Sequence, residues 1–151
     1  MNYDRFLSKL RGAMLPYHYQ NDLSEKVGNG CLLLSKSLDY IFLAMPYSTI
    51  PKNDYRSSYA KKVVRSAMLC LPLILEKGLF LVYYGSSDLW KNEVPKFTVD
   101  KTALRPVILQ SIHFVDPETG DNINKRTSWG PIKFGFCGKV IEEIESLCKI
   151  T

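Results

Sequence analysis

Residues 55–90 decide the fold, and they read YRSSYAKKVVRSAMLCLPLILEKGLFLVYYGSSDLW. The stretch begins as a basic amphipathic segment, becomes almost continuously apolar, and ends at a run of turn-forming residues, 85–88. Apolar residues recur at helical spacing in its first half, whereas residues 79–84 are all apolar or aromatic and have high β-propensity. The stretch therefore predicts a helix over residues 55–78, followed at 79–84 by a strand that is buried on both faces of a sheet.

The predicted helix has an apolar face and a basic face. Its apolar stripe consists of Ala60, Val64, Ala67, Leu71 and Ile74. Its basic face carries Lys61, Lys62 and Arg65. Three residues ahead of it have side chains that can cap the first turn, namely Asn53, Asp54 and Ser57. Because proline removes a backbone donor and clashes with the preceding turn, we expect a kink at Pro72 and an end at Gly78.

The flanking sequence predicts the other elements of one α+β domain. A first helix is capped by Asp4 and ends at Pro16, and a last helix covers residues 138–149. Strands are predicted at 31–34, 40–45, 97–99, 106–115 and 132–136, with a turn at 116–121. The first two strands have the local pattern of an antiparallel pair. The expected fold is a single domain over residues 1–151, with three helices, a mainly antiparallel sheet and the order α-β-β-α-β-β-β-β-α.

Composition limits the size, the compartment and the partners of the protein. With 151 residues, of which 46% are hydrophobic, the chain can build one domain with a core. Its net charge of +5 favours contact with phosphates or other anionic surfaces. The polar first residues do not form a signal peptide, and Glu76 and Lys77 interrupt the apolar run, so we expect a cytoplasmic protein without membrane contact. The four cysteines are then reduced, and no motif indicates a cofactor or a metal site.

Candidate catalytic residues lie in three places. Asp39, at the start of a predicted strand, could hold Mg²⁺ in a restriction-type nuclease, but no neighbouring strand supplies the required acid and lysine two residues apart. His113 lies near Asp116 and Glu118, which could form an acid-base or metal cluster or simply the turn of a hairpin. Cys137 precedes a predicted helix, a place that favours a thiolate. These patterns leave open whether the protein is an enzyme.

Residues 81–87, LVYYGSS, resemble the second half of the GIY-YIG nuclease signature, in which a tyrosine at a strand end precedes a glycine and small polar residues. The resemblance implies phosphodiester cleavage assisted by an arginine on the next helix, where this chain has Lys91. The first half of the signature is missing. A tyrosine-rich core strand that ends in a turn accounts for the same residues.

Two binding functions account for more of the sequence than catalysis does. Nucleic-acid binding is indicated by a set of cations and one tryptophan: Arg56, Lys61, Lys62, Arg65, Lys125, Arg126 and Trp129. Phosphate contacts combined with an aromatic platform are what single-strand binding uses. The alternative is a protein-interaction or assembly subunit, either homo-oligomeric or part of a complex, that contacts its partner through Trp90, Tyr47 and Tyr55. A metal-dependent nuclease with an atypical site is the third alternative.

Overall fold

The computed structural model describes residues 2–36, 40–68, 77–99, 107–126, 142–144 and 146. Several sequence predictions lie outside these residues: Asp39 as a metal ligand, the kink at Pro72, Trp129 as an aromatic platform, Cys137 as a nucleophile and the strand at 132–136. The described residues form an α+β fold, which confirms the predicted class at that level.

One sheet contains all six strands of the described residues. They are β1 (Asn21–Asp22), β2 (Leu32–Lys36), β3 (Tyr40–Pro46), β4 (Lys77–Tyr84), β5 (Val107–Val115) and β6 (Asn122–Arg126). They lie in that order across the sheet. The predicted antiparallel pair, β2 and β3, is confirmed, and β1–β2 and β5–β6 are also antiparallel. However, β3, β4 and β5 are parallel to one another, so the sheet is mixed and the prediction of a mainly antiparallel sheet was wrong at its centre.

Helices cover both faces of this sheet. The described part of the chain contains α1 (Tyr3–Met14), α2 (Ser58–Met68) and the single-turn α3 (Ser87–Trp90). Residues 142–144 are also helical and lie within the predicted last helix. The short helix α3 was not predicted, so the described residues have four helices where the sequence indicated three. α1 packs on one face through Phe6 and Leu10, and α2 packs on the other through Ala60 and Val64. Because both faces are covered, β5 is buried along its whole length and the central strands are rich in apolar residues.

Several strand assignments differ from the prediction. Residues 97–99 form no strand, whereas residues 122–126, which follow the predicted turn, form β6. β6 is polar and partly exposed because it lies at the end of the strand order, and such a strand lacks the alternation that sequence patterns detect. β4 begins at Lys77, so Gly78 lies within the strand and does not end the preceding helix.

Side chains ahead of α1 and α2 cap their first turns. The Asn2 side chain accepts a hydrogen bond from the backbone amide three residues further on, at 2.8 Å. Asp4 therefore lies inside α1, and its prediction as the cap was wrong by two positions. Asp54, one of the three predicted caps of α2, accepts hydrogen bonds from the Ser58 and Tyr59 amides at 3.0 and 3.1 Å. Both caps satisfy amides that have no partner within the helix.

The three parallel strands end at the same edge of the sheet. Pro46, the last residue of β3, pairs with Tyr84 of β4, and Tyr84 pairs with Val115 of β5. The loops that follow these strands therefore start side by side. Crevices outside the carboxyl ends of parallel strands are common ligand sites in α/β sheets, so this edge is the first place to look for one.

Candidate functional site

A cleft of about 440 Å³ opens at this edge, beside the carboxyl end of β3. One wall is the segment that follows β3 and contributes residues 47, 48 and 50–55. The other wall consists of Leu89, Glu93 and Phe97, which follow β4. Pockets that bind small molecules have volumes of about 300–1,000 Å³, so this cleft is large enough for a ligand of modest size.

Aromatic side chains form the apolar part of the cleft. Tyr55 and Phe97 meet edge to face with ring centroids 5.3 Å apart, and Tyr47 and Phe97 are 6.3 Å apart. Phe97 in turn contacts Phe114 of β5 at 5.0 Å, which joins the cleft to the core. Aromatic pairs of this geometry contribute about 0.5–1.5 kcal/mol each beyond the area they bury. Phe97 is buried, whereas Tyr47 and Tyr55 are half-exposed, so these two rings are accessible to a ligand.

Trp90 does not belong to the accessible surface. It is only 1% exposed, and its indole Nε1 donates a hydrogen bond to the Gly85 carbonyl at 3.0 Å. Its ring packs against Phe114 at 5.9 Å. The expectation that Trp90 is an exposed interaction residue was therefore wrong, because the carbonyl five residues back satisfies its N–H and lets the ring enter the core. Tyr47 and Tyr55, the other two interaction candidates, line the cleft.

A polar network crosses from one wall of the cleft to the other. The Tyr55 hydroxyl donates a hydrogen bond to Glu93 Oε2 at 2.7 Å and lies 3.0 Å from Asn53 Oδ1. Lys96 Nζ lies 3.2 Å from the same Glu93 oxygen. The hydrogen bonds from Tyr55 and Lys96 hold the pKa of the Glu93 carboxyl below its usual range, and the Glu93 partner raises the pKa of Lys96. Glu93 and Lys96 are therefore both charged at neutral pH.

Backbone contacts fix the two walls relative to each other. The Thr98 amide donates to the Tyr55 carbonyl at 2.9 Å. Lys125 Nζ, on β6, donates to the Phe97 carbonyl at 2.8 Å and to the Pro95 carbonyl at 3.2 Å. The ammonium group of Lys125, which the sequence predicted as a nucleic-acid contact, thus holds the second wall in place. Arg126, the next residue in the chain, is exposed.

The predicted basic face of α2 is only partly a surface. Lys62 and Arg65 are exposed, as is Arg56 just before the helix, but Lys61 is only 6% exposed. Lys61 lies beside the buried Ala60, and a lysine stem can pack along apolar surface in such a position. Its placement with the exposed cations was therefore wrong. α2 contains no acidic residue, so the remaining cations form a positive strip next to the cleft.

Two buried hydroxyls lie behind the cleft. Within the described residues, neither Tyr83 Oη nor Ser57 Oγ has a hydrogen-bond partner of good geometry, although the two groups are close enough for Ser57 to influence Tyr83. Burial raises the pKa of Tyr83, and the nearby Asp54 and Tyr47, both in the cleft wall, raise it further. Ser57 also has a left-handed φ of 55°, which is unusual for a residue other than glycine. Neither hydroxyl lines the cleft, but both lie close to its wall.

His113 and Asp116 each have hydrogen-bond partners close by in the chain or in the neighbouring loop. His113 is 2% exposed on β5, its Nε2 lies 2.9 Å from Ser111 Oγ, and burial together with the nearby Arg126 lowers its pKa to about 3. The Asp116 carboxylate accepts hydrogen bonds from three backbone amides, those of Ser87, Glu118 and Thr119. Each group therefore has a local structural role, and Asp88, on α3, is exposed.

No group of three or more His, Cys, Asp and Glu side chains among the described residues could share a metal ion. No helix in the described ranges combines the length and the apolar character of a membrane span. The chain matches no protein-family model, no curated protein and no solved structure.

Proposed function

We propose that the protein binds single-stranded nucleic acid, with the cations around the start of α2 contacting phosphates and the aromatic cleft holding a base. The observation that carries this proposal is the adjacency of the two features. The segment that forms one wall of the cleft continues directly into α2, so the cleft and the positive strip belong to one continuous stretch of chain. Single-strand binding sites combine these two parts, a positive groove and aromatic side chains on which bases stack.

The cations supply the attraction for the strand. Lys52 lines the cleft and is exposed, and Arg56, Lys62 and Arg65 extend the positive charge along α2. Asp54, the one carboxylate in the segment 47–68, accepts hydrogen bonds from the first amides of the helix. Phosphate contacts by Lys and Arg provide most of the sequence-independent affinity for nucleic acid.

The cleft supplies the contact with the base. Tyr47 and Tyr55 line it, are half-exposed, and are held in place by the ring of Phe97. Stacking of a base on an aromatic side chain contributes about 1–3 kcal/mol, and duplex DNA cannot use it because its bases are already stacked. The proposal therefore implies a preference for single strands.

A salt titration of the affinity for a fluorescent RNA octamer tests the proposal. For single strands, log K falls with log salt concentration by about 0.7 for each phosphate contact. The double variant Lys62→Glu/Arg65→Glu removes two contacts, so we expect weaker binding and a slope shallower by about 1.4. As a matched control, Arg5→Glu/Lys9→Glu makes the same charge change on α1, which covers the other face of the sheet, and should retain the wild-type slope.

Two outcomes would overturn the proposal. Wild-type protein that fails to bind the octamer at low salt has no such site. If both double variants lose the same affinity and the same slope, the attraction comes from net charge alone and α2 is not the contact surface.

A second candidate function, protein interaction at the same cleft, is favoured by Leu89. This side chain is 52% exposed and lines the cleft together with the half-exposed rings of Tyr47 and Tyr55, and contiguous exposed apolar surface marks sites of protein contact. Light scattering distinguishes the two functions. A dimer that dissociates on Leu89→Ser would support assembly, whereas a monomer that binds RNA would support the nucleic-acid function.

A further inference from the structure

We infer that the cleft selects bases that carry an exocyclic amino group, so that it prefers cytosine to uracil through the carboxylate of Glu93. This inference rests on the proposed function, since it assumes that a strand occupies the cleft. It specifies which strand is bound best, a property that the cations of α2 cannot determine.

Glu93 lines the cleft and offers a hydrogen-bond acceptor there. It is charged at neutral pH, and its side chain is 34% exposed. A carboxylate has about four acceptor positions, and the contacts with Tyr55 and Lys96 both use Oε2, so Glu93 retains capacity to accept. The other carboxylate in the lining, Asp54, has both oxygens bound to α2 amides and is less able to contact a base.

A carboxylate acceptor distinguishes cytosine from uracil, because the two pyrimidines differ at one hydrogen-bonding position. The N4 amino group of cytosine donates a hydrogen bond, and Glu or Asp side chains accept from it in protein–nucleic acid complexes. Uracil has a carbonyl oxygen at the same position, and two acceptors facing each other repel. Because the two bases have the same size and similar ring faces, stacking on Tyr47 or Tyr55 distinguishes them little.

Competition between oligo(rC) and oligo(rU) octamers of equal length, at one salt concentration and neutral pH, tests the inference. We expect wild-type protein to prefer oligo(rC) by about tenfold, which a single hydrogen bond to an ionised group can provide. In Glu93→Gln the amide accepts from Tyr55 but also donates to a carbonyl, so the preference should fall below about twofold. If Glu93→Gln damaged the cleft, the affinities for oligo(rC) and for oligo(rU) would both fall. If it removed only the selectivity, the affinity for oligo(rU) would rise.

Glu25→Gln is the matched control, because Glu25 is an exposed acid outside the lining of the cleft. It makes the same charge change and should retain the preference for oligo(rC). Equal affinity of wild-type protein for the two octamers, or a preference for oligo(rU), would overturn the inference but leave single-strand binding intact. Failure to bind either octamer would instead overturn the proposed function, and with it the inference.

Discussion

Gly30 lies where the loop before β2 approaches Tyr84. Its φ is 80°, and its carbonyl accepts a hydrogen bond from the Tyr84 hydroxyl. A Cβ at this position would lie 2.9 Å from that hydroxyl and 3.3 Å from Pro46 Cγ. We expect Gly30→Ala to lower the free energy of unfolding in urea by about 1–3 kcal/mol, because alanine is strained at positive φ. Gly28→Ala is the control: no atom lies within 4 Å of its added Cβ, so an equal loss would contradict the account.

The neighbouring tyrosines Tyr83 and Tyr84 should respond differently to loss of the hydroxyl. Tyr84→Phe removes the hydrogen bond to Gly30 and should cost about 1 kcal/mol in the free energy of unfolding. Tyr83→Phe removes a buried hydroxyl that has no partner of good geometry, so stability should stay the same or rise. Thermal unfolding of the two variants side by side measures this. If Tyr83→Phe lowered the stability more than Tyr84→Phe does, the Tyr83 hydroxyl would have a hydrogen-bond partner in the free protein.

Two residue-level predictions failed because a side chain can be buried while its polar atom is satisfied nearby. Lys61 and Trp90 were both expected on the surface, one for its charge and the other for its position in a connector. In the structure, Trp90 donates to Gly85 within the core, and Lys61 lies beside the buried stripe of α2. Sequence patterns assign a residue to a face of an element, but they do not show whether a local partner permits its burial.

At the scale of elements, Asp116 joins the loop after β5 to the start of α3. Burial alone would raise the pKa of its carboxyl, but hydrogen bonds from the amides of Ser87, Glu118 and Thr119 outweigh it and lower the pKa. A carboxylate whose pKa is lower in the folded protein than in the unfolded chain stabilises the fold at pH values above the unfolded pKa, about 3.9 for Asp. This stabilisation is lost as the pH falls through the pKa of the folded protein. Stability should therefore decline in acid partly through Asp116.

Asp116→Asn tests this link through the pH dependence of unfolding. The amide has one acceptor oxygen in place of two, so we expect the variant to be clearly less stable than wild type near neutral pH. The difference should shrink as the pH falls below about 3.9, where the carboxylate of the unfolded chain begins to bind protons, and should be smallest below the lowered pKa of the folded protein. Asp88→Asn changes an exposed carboxylate of α3 and should leave the curve unchanged. A stability difference for Asp116→Asn that stays constant across this pH range would contradict the account.

The strands were predictable in proportion to their burial. β3, β4 and β5 pack between helical layers and are therefore rich in apolar residues, which the sequence shows directly, although β5 also contains the buried polar residues Gln110, Ser111 and His113. β6 is polar and β1 has two residues, so neither gives a pattern. The parallel direction of the central strands depends on how the chain crosses over between them, and residues within a strand carry little information about that.

At the scale of the whole molecule, the cleft joins parts of the chain that are distant in sequence. Tyr55 and Glu93 are 38 positions apart, and only the fold brings them together. The exposed cations of α2 were predictable, because a basic helix face is a local pattern. Glu93, Asn53 and Phe97 gave no such signal, since each is an ordinary loop residue until the two walls meet. The exposed cations of the candidate site and its two tyrosines, Tyr47 and Tyr55, were thus predictable from the sequence, whereas the meeting of the two cleft walls was not.

Amide chemical-shift mapping by NMR, as an oligo(rC) octamer is added, tests directly whether a single strand binds in the cleft and along α2. We expect saturable shifts of the amide resonances in the cleft walls, residues 47–55 and 89–97, and along the exposed side of α2. The resonances of α1 should change little. Shifts confined to α1, or no shifts at concentrations that saturate the binding curve, would contradict this expectation.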